Sequence, residues 1–164
     1  AIAVSENLNA MLALGTEHQR ESGILFIKIE GFEKLAERHG AEGRETLLRK
    51  FASVVIRAVR EADLVCRYDE DTLAVLFPSI EEGYGPTLAD AVRKSVLSHQ
   101  FRLSESGPSV IVNAHYGYSD CLPHENEDLV LNRAGNALAK SESKGCNQMH
   151  IHNGESLLHL ASRH

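Results

Sequence analysis

The chain has 164 residues, of which 23 are acidic and 17 are Lys or Arg, so its formal net charge is −6. Hydrophobic residues make up 43% and charged residues 24%, which excludes a disordered chain and suffices for one domain with its own core. An acidic balance without a long basic run argues against nucleic acid and anionic membranes as partners, because both need a concentrated positive field.

The cysteines and the apolar runs bear on the compartment. Cys66, Cys121 and Cys146 are odd in number, far apart and without a CxxC pair, which is typical of free thiols in a reducing compartment. No apolar run approaches the roughly 18 residues of a membrane span. We therefore expect this domain to be cytoplasmic. We also expect it to be a fragment of a longer protein, and that longer protein could be attached to a membrane.

The first part of the chain alternates between helix and strand patterns. Ser5 is the expected N-cap of a first helix that runs toward Gln19. Residues 24–29 are β-branched and aromatic, as in a buried strand, although Lys28 places a charge near its end. A short helix over 32–39 is expected to end at Gly40.

The middle of the chain predicts a long helix and a hairpin. Apolar residues recur three and four apart at Leu48, Phe51, Ala52, Val55, Ile56 and Val59. Two strand-like runs, 64–68 and 72–77, flank the acidic tip at 69–71, and Pro78 is expected to end the second run.

The last part predicts two further helices and two strands. Pro86 is suited to the first turn of a helix, residues 110–118 predict a strand, and residues 127–143 predict a helix that ends at Gly145. Residues 148–152 predict a final strand. Helices that interrupt strands in this order indicate a sheet covered by helices, with the hairpin at one edge.

Several short segments occur in an order that is typical of one family. They are Ile27-Lys28-Ile29-Glu30-Gly31-Phe32, Gly40 and Gly43, Arg60-Glu61-Ala62-Asp63, the run 67–78, and then Gly117, Ala134, Ala137, Leu138, Gly145 and Asn147. This pattern resembles the GGDEF domain of diguanylate cyclases over roughly residues 23–152. The resemblance implies an α/β (α+β) fold in which helices flank a mainly antiparallel sheet, with a ferredoxin-like, nucleotide-cyclase-like core and a projecting β-hairpin. It divides the chain into a linker helix (1–22), the domain (23–155) and a tail (156–164).

The resemblance also implies where an active member would hold metal. In such members a carboxylate at the end of the first strand and the third hairpin residue hold divalent cations on the triphosphate of GTP. Here the strand position is Lys28, the hairpin residue is Asp71, and the next hairpin position, acidic in the family, is Thr72. We expect Lys28 and Asp71 to form an ion pair, because an unpaired Lys in a buried strand is costly. No metal is expected, and Mg²⁺ would be a cofactor only of an active cyclase.

The positions that read guanine and hold phosphate are altered as well. The Asn and Asp that family members use for guanine correspond to Ala36 and Arg44, and their phosphate-binding cations correspond to Glu33, Glu142 and Cys146. Acids replace the hairpin glycines that let the nucleotide approach the backbone. The degenerate active-site positions are Lys28, Glu30, Glu33, Ala36, Arg44, Asp69, Glu70, Asp71, Thr72, Glu142 and Cys146. We therefore expect a catalytically inactive domain.

One ligand motif of the family is retained. Arg60 and Asp63 stand at the spacing of the RxxD inhibitory site, in which the Arg and Asp recognise cyclic di-GMP. Ala91 occupies the place of a second arginine, so Arg67 and Arg93 are the candidate supporting cations. The alternative is that Arg60 and Asp63 are an exposed charge at a helix end and a turn residue.

Three functions stay open on the sequence. The preferred one is a regulatory module without catalysis that binds cyclic di-GMP. The others are an active diguanylate cyclase and a nucleotide-free interaction or dimerisation domain. The expected partners are cyclic di-GMP, other domains of the same chain, a signalling protein or a second copy.

His150 and His152, near Cys146, lack further ligands for zinc and are expected to be ordinary strand residues.

Overall fold

The computed structural model describes residues 2–104 and 106–160, with side chains from residue 4 onward. The helices are α1 (Ile2–His18), α2 (Phe32–Ala58), α3 (Gly85–Ser98) and α4 (Glu127–Lys144). The strands are β1 (Glu21–Ile29), β2 (Leu64–Asp69), β3 (Thr72–Ile80), β4 (Phe101–Arg102), β5 (Ser109–Val110), β6 (Ala114–Cys121), β7 (Met149–His152) and β8 (Leu157–His159).

The main sheet has six strands in the order β2-β3-β1-β6-β7-β8, and β4 and β5 form a separate ribbon. Its neighbouring strands are antiparallel except β6 and β7, which run parallel. The expected mixed fold, with a mainly antiparallel sheet flanked by helices, is confirmed.

The two faces of the sheet bury two different sets of apolar residues, because successive side chains of a strand point to opposite faces. On β1, Ile27 and Ile29 join the core formed with α2 and α3. Ile24 and Phe26 join the core formed with α1 and α4. Lys28 therefore belongs to the α1 and α4 face.

A break at Gly40 divides α2, as the sequence predicts. Gly40 has φ 75° and ψ 179°, whereas the residues on either side are helical. This backbone conformation strains any residue with a Cβ, so glycine is what permits the two helical segments to meet without a loop. The second segment buries Leu47, Phe51 and Val55 against the sheet.

The predicted first helix differs from α1 at its start. Ser5 lies inside α1 and is not its N-cap, because Ile2 already begins the helix. The Ser5 hydroxyl instead donates to the Glu127 carboxylate of α4, at 2.6 Å, and the Asn9 amide donates to the same carboxylate at 2.8 Å. The polar side of α1 is thus used for contact with α4.

The prediction that Pro78 ends its strand is also wrong, since β3 runs on to Ile80. The register between β1 and β3 shifts between Glu21 and Gly23, and Ser79 has φ 48°. Proline is tolerated at such an irregularity because the missing N–H removes no regular bond of the ladder.

The strand predicted over 110–118 is two strands, β5 and β6, separated by residues 111–113. Strand β6 continues through Ser119 and Asp120 to Cys121, and all of its residues are buried. These polar residues remain in the strand because they are bonded there: Arg133 of α4 donates to the Ser119 hydroxyl and to the Asp120 carbonyl.

The division into 1–22, 23–155 and 156–164 remains a prediction. Helix α1 packs on the sheet through Val4, Leu8, Met11 and Leu12, and β8 lies within the expected tail. Over the described part of the chain, none of the helices combines the length and apolarity that a membrane crossing requires.

Candidate functional site

The candidate site lies where the ends of β1 and α4 meet the β2–β3 hairpin and the start of β6. We call it the hairpin-end site and define it by Lys28, Glu30, Asp71, Thr72, His115, Glu142 and Cys146. The sheet register places Thr72 and His115 on either side of Lys28, in the two neighbouring strands. Residues that are directly opposite in neighbouring strands share one face of a sheet, here the face covered by α4.

Lys28 pairs with Glu142, so the expected pair with Asp71 is wrong. Lys28 Nζ lies 3.1 Å from Glu142 Oε2, and both side chains are about one-third exposed (34% and 36%). The physical reason is the alternation along the strand, since Lys28 points to the face on which α4 lies. Asp71 lies in the turn, where its carboxylate accepts from the Thr72 hydroxyl at 2.9 Å.

Glu30 links two further residues of the site. The Cys146 thiol donates to Glu30 Oε2 at 2.8 Å, and His115 Nε2 lies 3.5 Å from Glu30 Oε1. The hydrogen bond to Glu30, with a smaller contribution from burial, raises the pKa of the Cys146 thiol. A thiol held in its protonated form is a poor nucleophile and a poor metal ligand.

His115 has a role in the site that the sequence analysis missed. It is 5% exposed, and its Nδ1 is buried without a hydrogen-bond partner among the described residues. The signal that could have found it is the register, since the residue opposite Lys28 in β6 must lie beneath the end of α4. When the pairing of β1 with β6 is unknown, the sequence shows His115 only as one residue of an apolar strand.

The remaining degenerate positions surround the hairpin. Arg44 extends toward the tip, with Nη2 3.6 Å from Glu70 Oε2 and its guanidinium 5.2 Å from the centre of the Phe32 ring. Asp69 accepts from the backbone N–H of Glu70 at 2.8 Å, and both side chains are exposed. On the first segment of α2, Glu33 is exposed and Ala36 is half-buried.

Over residues 2–104 and 106–160, no three His, Cys, Asp or Glu side chains are arranged to hold a metal ion. His152 accepts from the backbone N–H of Gly154 at 3.1 Å, and His150 contacts the Ser141 hydroxyl at 2.8 Å.

Arg60 and Asp63 lie next to each other between α2 and β2. Arg60 donates through Nε and Nη2 to Asp63, at 2.7–3.1 Å, and through its backbone N–H at 2.8 Å. Arg60 Nη2 also donates to the Pro78 carbonyl at 2.8 Å. The Asp63 side chain is 0% exposed, whereas that of Arg60 is 36% exposed. The motif is therefore closed on itself, and only the arginine faces solvent.

The two candidate supporting arginines are not brought to this pair. Arg67 donates to the carbonyls of Asp69 and Glu70 at the hairpin tip, at 3.4 and 3.3 Å. Arg93 of α3 donates to Asp90 at 2.8 Å and to the Asn147 carbonyl at 3.2 Å. Asn147 bonds to Ala114, which is opposite Ile29 at the far end of β1 from Pro78. The structure therefore retains only Arg60 and Asp63 of the four candidate binding residues as neighbours.

The topology and the hairpin place this protein among α/β domains with a nucleotide-cyclase-like sheet. A family model described as "Diguanylate cyclase, GGDEF domain" matches residues 2–148. The chain belongs to this family.

Sequence similarity to two individual proteins agrees with this assignment. The chain is 33% identical over 86 residues to the diguanylate cyclase TpbB of Pseudomonas aeruginosa, which is 52% of this chain and 19% of TpbB. It is 25% identical over 124 residues to the response regulator PleD of Caulobacter vibrioides, which is 75% of this chain and 27% of PleD. The chain thus matches about a fifth to a quarter of the length of these relatives.

Solved structures share the fold. The GGDEF domain of TpbB has a TM-score of 0.83 at 24% identity and covers 93% of this chain and 94% of its own. The GGDEF domain of DgcB from Caulobacter crescentus, solved in complex with c-di-GMP, has a TM-score of 0.80 at 22% identity and covers 94% and 87%.

Proposed function

We propose that this domain is a non-catalytic GGDEF domain that acts as a regulatory module in cyclic di-GMP signalling. The observation that carries the proposal is the ion pair between Lys28 and Glu142. By resemblance, Lys28 stands where an active member has a metal-binding carboxylate, and Glu142 stands where it has a phosphate-binding cation. The sign of the charge is thus reversed at both positions, and the two reversed charges pair with each other.

This reversal of charge acts against both the metal cofactor and the nucleotide substrate of an active cyclase. A divalent cation requires oxygen ligands of net negative charge, and an ammonium group at the first ligand position repels it. A triphosphate requires cations, and the Glu142 carboxylate repels it. Asp71 alone remains at the metal position, with its carboxylate bonded to Thr72.

Product formation tests the proposal directly. We expect no cyclic di-GMP from GTP and Mg²⁺ at micromolar protein, with an active diguanylate cyclase as the positive control. Product that exceeds the no-protein control would overturn the proposal and favour the cyclase alternative. The exchanged variant Lys28→Asp/Glu142→Lys asks whether this pair suffices to block the reaction, and we expect it to remain inactive because the guanine-reading and hairpin positions also differ.

The second part of the proposal is that Arg60 and Asp63 bind cyclic di-GMP. The RxxD spacing supports it, as does a GGDEF domain of the same fold that was solved with this ligand. Arg60 is the accessible member of the pair, so the dinucleotide would contact Arg60 first and would have to compete with Asp63 for its guanidinium. We expect binding as a stacked dimer or as a bridge between two chains, because one Arg and one Asp satisfy only part of two phosphates and two guanines.

Calorimetric titration with cyclic di-GMP tests whether this ligand binds at Arg60 and Asp63. Replacing Arg60 with Ala should lower the affinity about tenfold to a hundredfold, because a charge-assisted hydrogen bond contributes roughly 1.5–3 kcal/mol. Arg57→Ala is the matched control, since Arg57 is an exposed arginine whose side chain bonds to Ser53. Absence of heat and of resonance shifts at high ligand concentration would eliminate the receptor function and leave the interaction-domain alternative.

A cytoplasmic location is part of the same proposal and is consistent with the free thiols of Cys66, Cys121 and Cys146.

A further inference from the structure

A cavity of about 520 Å³ lies between the end of α4 and the strands β7 and β8, apart from the hairpin-end site. We call it the cationic cavity, and its lining is Lys140, Lys144, Gln148, His150, Leu157 and His159. No carboxylate is among these residues, although the chain as a whole carries a net charge of −6. A local concentration of positive charge in an acidic protein calls for an explanation.

The two lysines supply unpaired charge. Both are exposed, and among the described residues neither forms an ion pair. Lys144 stands in the last turn of α4, where any cation interacts favourably with the free carbonyls, so its position alone does not indicate a ligand. The second indication comes from His150.

His150 is 4% exposed and is one of the residues that line the cavity. Its Nδ1 lies 2.8 Å from the Ser141 hydroxyl, and that hydroxyl donates its one proton to the Tyr116 carbonyl at 2.7 Å. Nδ1 must therefore be the donor to Ser141, which fixes the tautomer of the neutral ring. Nε2 is the nitrogen left for the cavity, and no described residue bonds to it.

The His159 ring also lines the cationic cavity and lies next to His150. The centres of the His150 and His159 rings are 4.8 Å apart. Burial, and then the positive charges of His159, Lys140 and Lys144, lower the pKa of His150. These are the charged groups that face His150 from β8 and α4, while β6 presents Gly117 opposite it in register. A bound anion would offset this repulsion and allow the ring to take up a proton, so that Nε2 becomes a donor.

We propose that the cationic cavity binds a small phosphate monoester, with its phosphate between Lys140, Lys144 and the histidine pair and its organic part against Leu157. A dianionic phosphate can accept hydrogen bonds from both ammonium groups and from a protonated imidazole at once. The volume exceeds that of a bare phosphate group, and the Leu157 side chain and the ring faces provide an apolar wall. A metal ion is disfavoured, because two ammonium groups lie beside the histidines.

Histidine resonances and calorimetry test the proposal, with adenosine monophosphate, inorganic phosphate and adenosine as probes. We expect the monophosphate, at about pH 7.5 where it is mainly a dianion, to shift the imidazole signals of His150 and His159. The double variant Lys140→Gln/Lys144→Gln should lose at least about tenfold in affinity, or about 1.4 kcal/mol. Lys94→Gln is the matched control, because Lys94 is an exposed lysine of α3 that pairs with Asp90 outside the cavity.

Several results would overturn the proposal. One is the absence of shifts in His150 and His159 with the monophosphate up to about 10 mM, which is beyond any specific affinity of interest. Equal affinity for the monophosphate and for adenosine or inorganic phosphate would reject a monoester as the ligand. Shifts with Zn²⁺ but with neither phosphate compound would assign a cation site instead. Circular dichroism of the double variant separates lost binding from lost folding, and cyclase activity has no part in the test.

Discussion

Arg60 encloses the carboxylate of Asp63, which is entirely buried, while about a third of the arginine side chain stays in contact with solvent. The carboxylate accepts from the backbone N–H of Arg60 as well as from its guanidinium, and the guanidinium also ties this turn to the Pro78 carbonyl at the end of β3. The pair therefore joins α2, β2 and β3 even without a ligand. These two residues therefore have a structural role that does not depend on the proposed ligand.

The first prediction is that Arg60→Ala destabilises the domain in the absence of any nucleotide. The substitution leaves the buried Asp63 carboxylate without its cation, which costs about 2–4 kcal/mol when the remaining charge is buried. Urea denaturation followed by circular dichroism measures the loss. Arg57→Ala should change the free energy of unfolding by less than about 0.5 kcal/mol. Equal stability of the two variants would mean that Asp63 is solvated in solution.

The second prediction concerns the ion pair of the hairpin-end site. A double-mutant cycle with Lys28→Gln and Glu142→Gln should give a favourable coupling of about 0.5 kcal/mol, because the pair is partly exposed, and the coupling should shrink in high salt. Arg44 and Glu70, which are 3.6 Å apart with Glu70 mostly exposed, offer a weaker comparison pair. An unfavourable coupling between Lys28 and Glu142 would contradict the reversed-charge arrangement.

The third prediction tests the packing of α4 on β6. A Cβ at Gly117 would lie 2.3 Å from the backbone nitrogen of Leu138 and 2.6 Å from the carbonyl of Ala134, and backbone atoms cannot swing aside. Gly117→Ala should therefore lower the free energy of unfolding by about 1–3 kcal/mol or more. The control is Gly135→Ala on α4, where nothing lies within 4 Å of an added Cβ. We expect that control to be neutral or stabilising by up to about 1 kcal/mol, as measured by thermal unfolding.

The fourth prediction is a pH dependence that originates at Asp120. Burial raises the pKa of Asp120 from 3.8 to about 6, against the opposing hydrogen bond from the Tyr118 hydroxyl at 3.0 Å. The native state thus holds this proton more tightly than the unfolded state does. Its contribution to stability is full below the unfolded pKa and is lost as the pH rises through about 6.

The comparison with Asp120→Asn isolates this effect, because Glu125, whose pKa is lowered, titrates in both proteins. From about pH 4 to about pH 7 the wild type should lose on the order of 2 kcal/mol of stability relative to the variant. Urea midpoints across this range measure the difference. A difference that does not change with pH would show that Asp120 titrates normally in the folded domain.

The sequence predicted those elements whose signal is local. The break at Gly40, the hairpin around 69–71 and the end of α4 at Gly145 each depend on residue types within a few positions. The strands β4 and β8 were not predicted, and β5 was not separated from β6, because two or three residues are too few to establish an alternating pattern. Likewise, the extent of β6 depends on bonds from Arg133, which follows it in the chain by a dozen residues.

Within the candidate site, the family resemblance supplied the residues but not their partners. Lys28 was paired with Asp71 because the first strand and the hairpin are neighbours in the fold. The alternation along β1, which was available in the sequence, assigns Lys28 to the other core and thus to α4. The environment of His115 and the separation of Arg93 from Arg60 depend on strand register and helix position, which local patterns do not contain.

The hydrogen bonds from Ser5 and Asn9 to Glu127 have a mechanical consequence. Glu127 is the first residue of α4, and Glu142, which holds Lys28, stands near its other end. An uninterrupted helix of 18 residues is about 27 Å long and bends little. We therefore expect a rotation or shift of α1 that displaces Glu127 to move α4 as a rigid body. That movement would change the position of Glu142 in the hairpin-end site and of Lys140 and Lys144 in the cationic cavity.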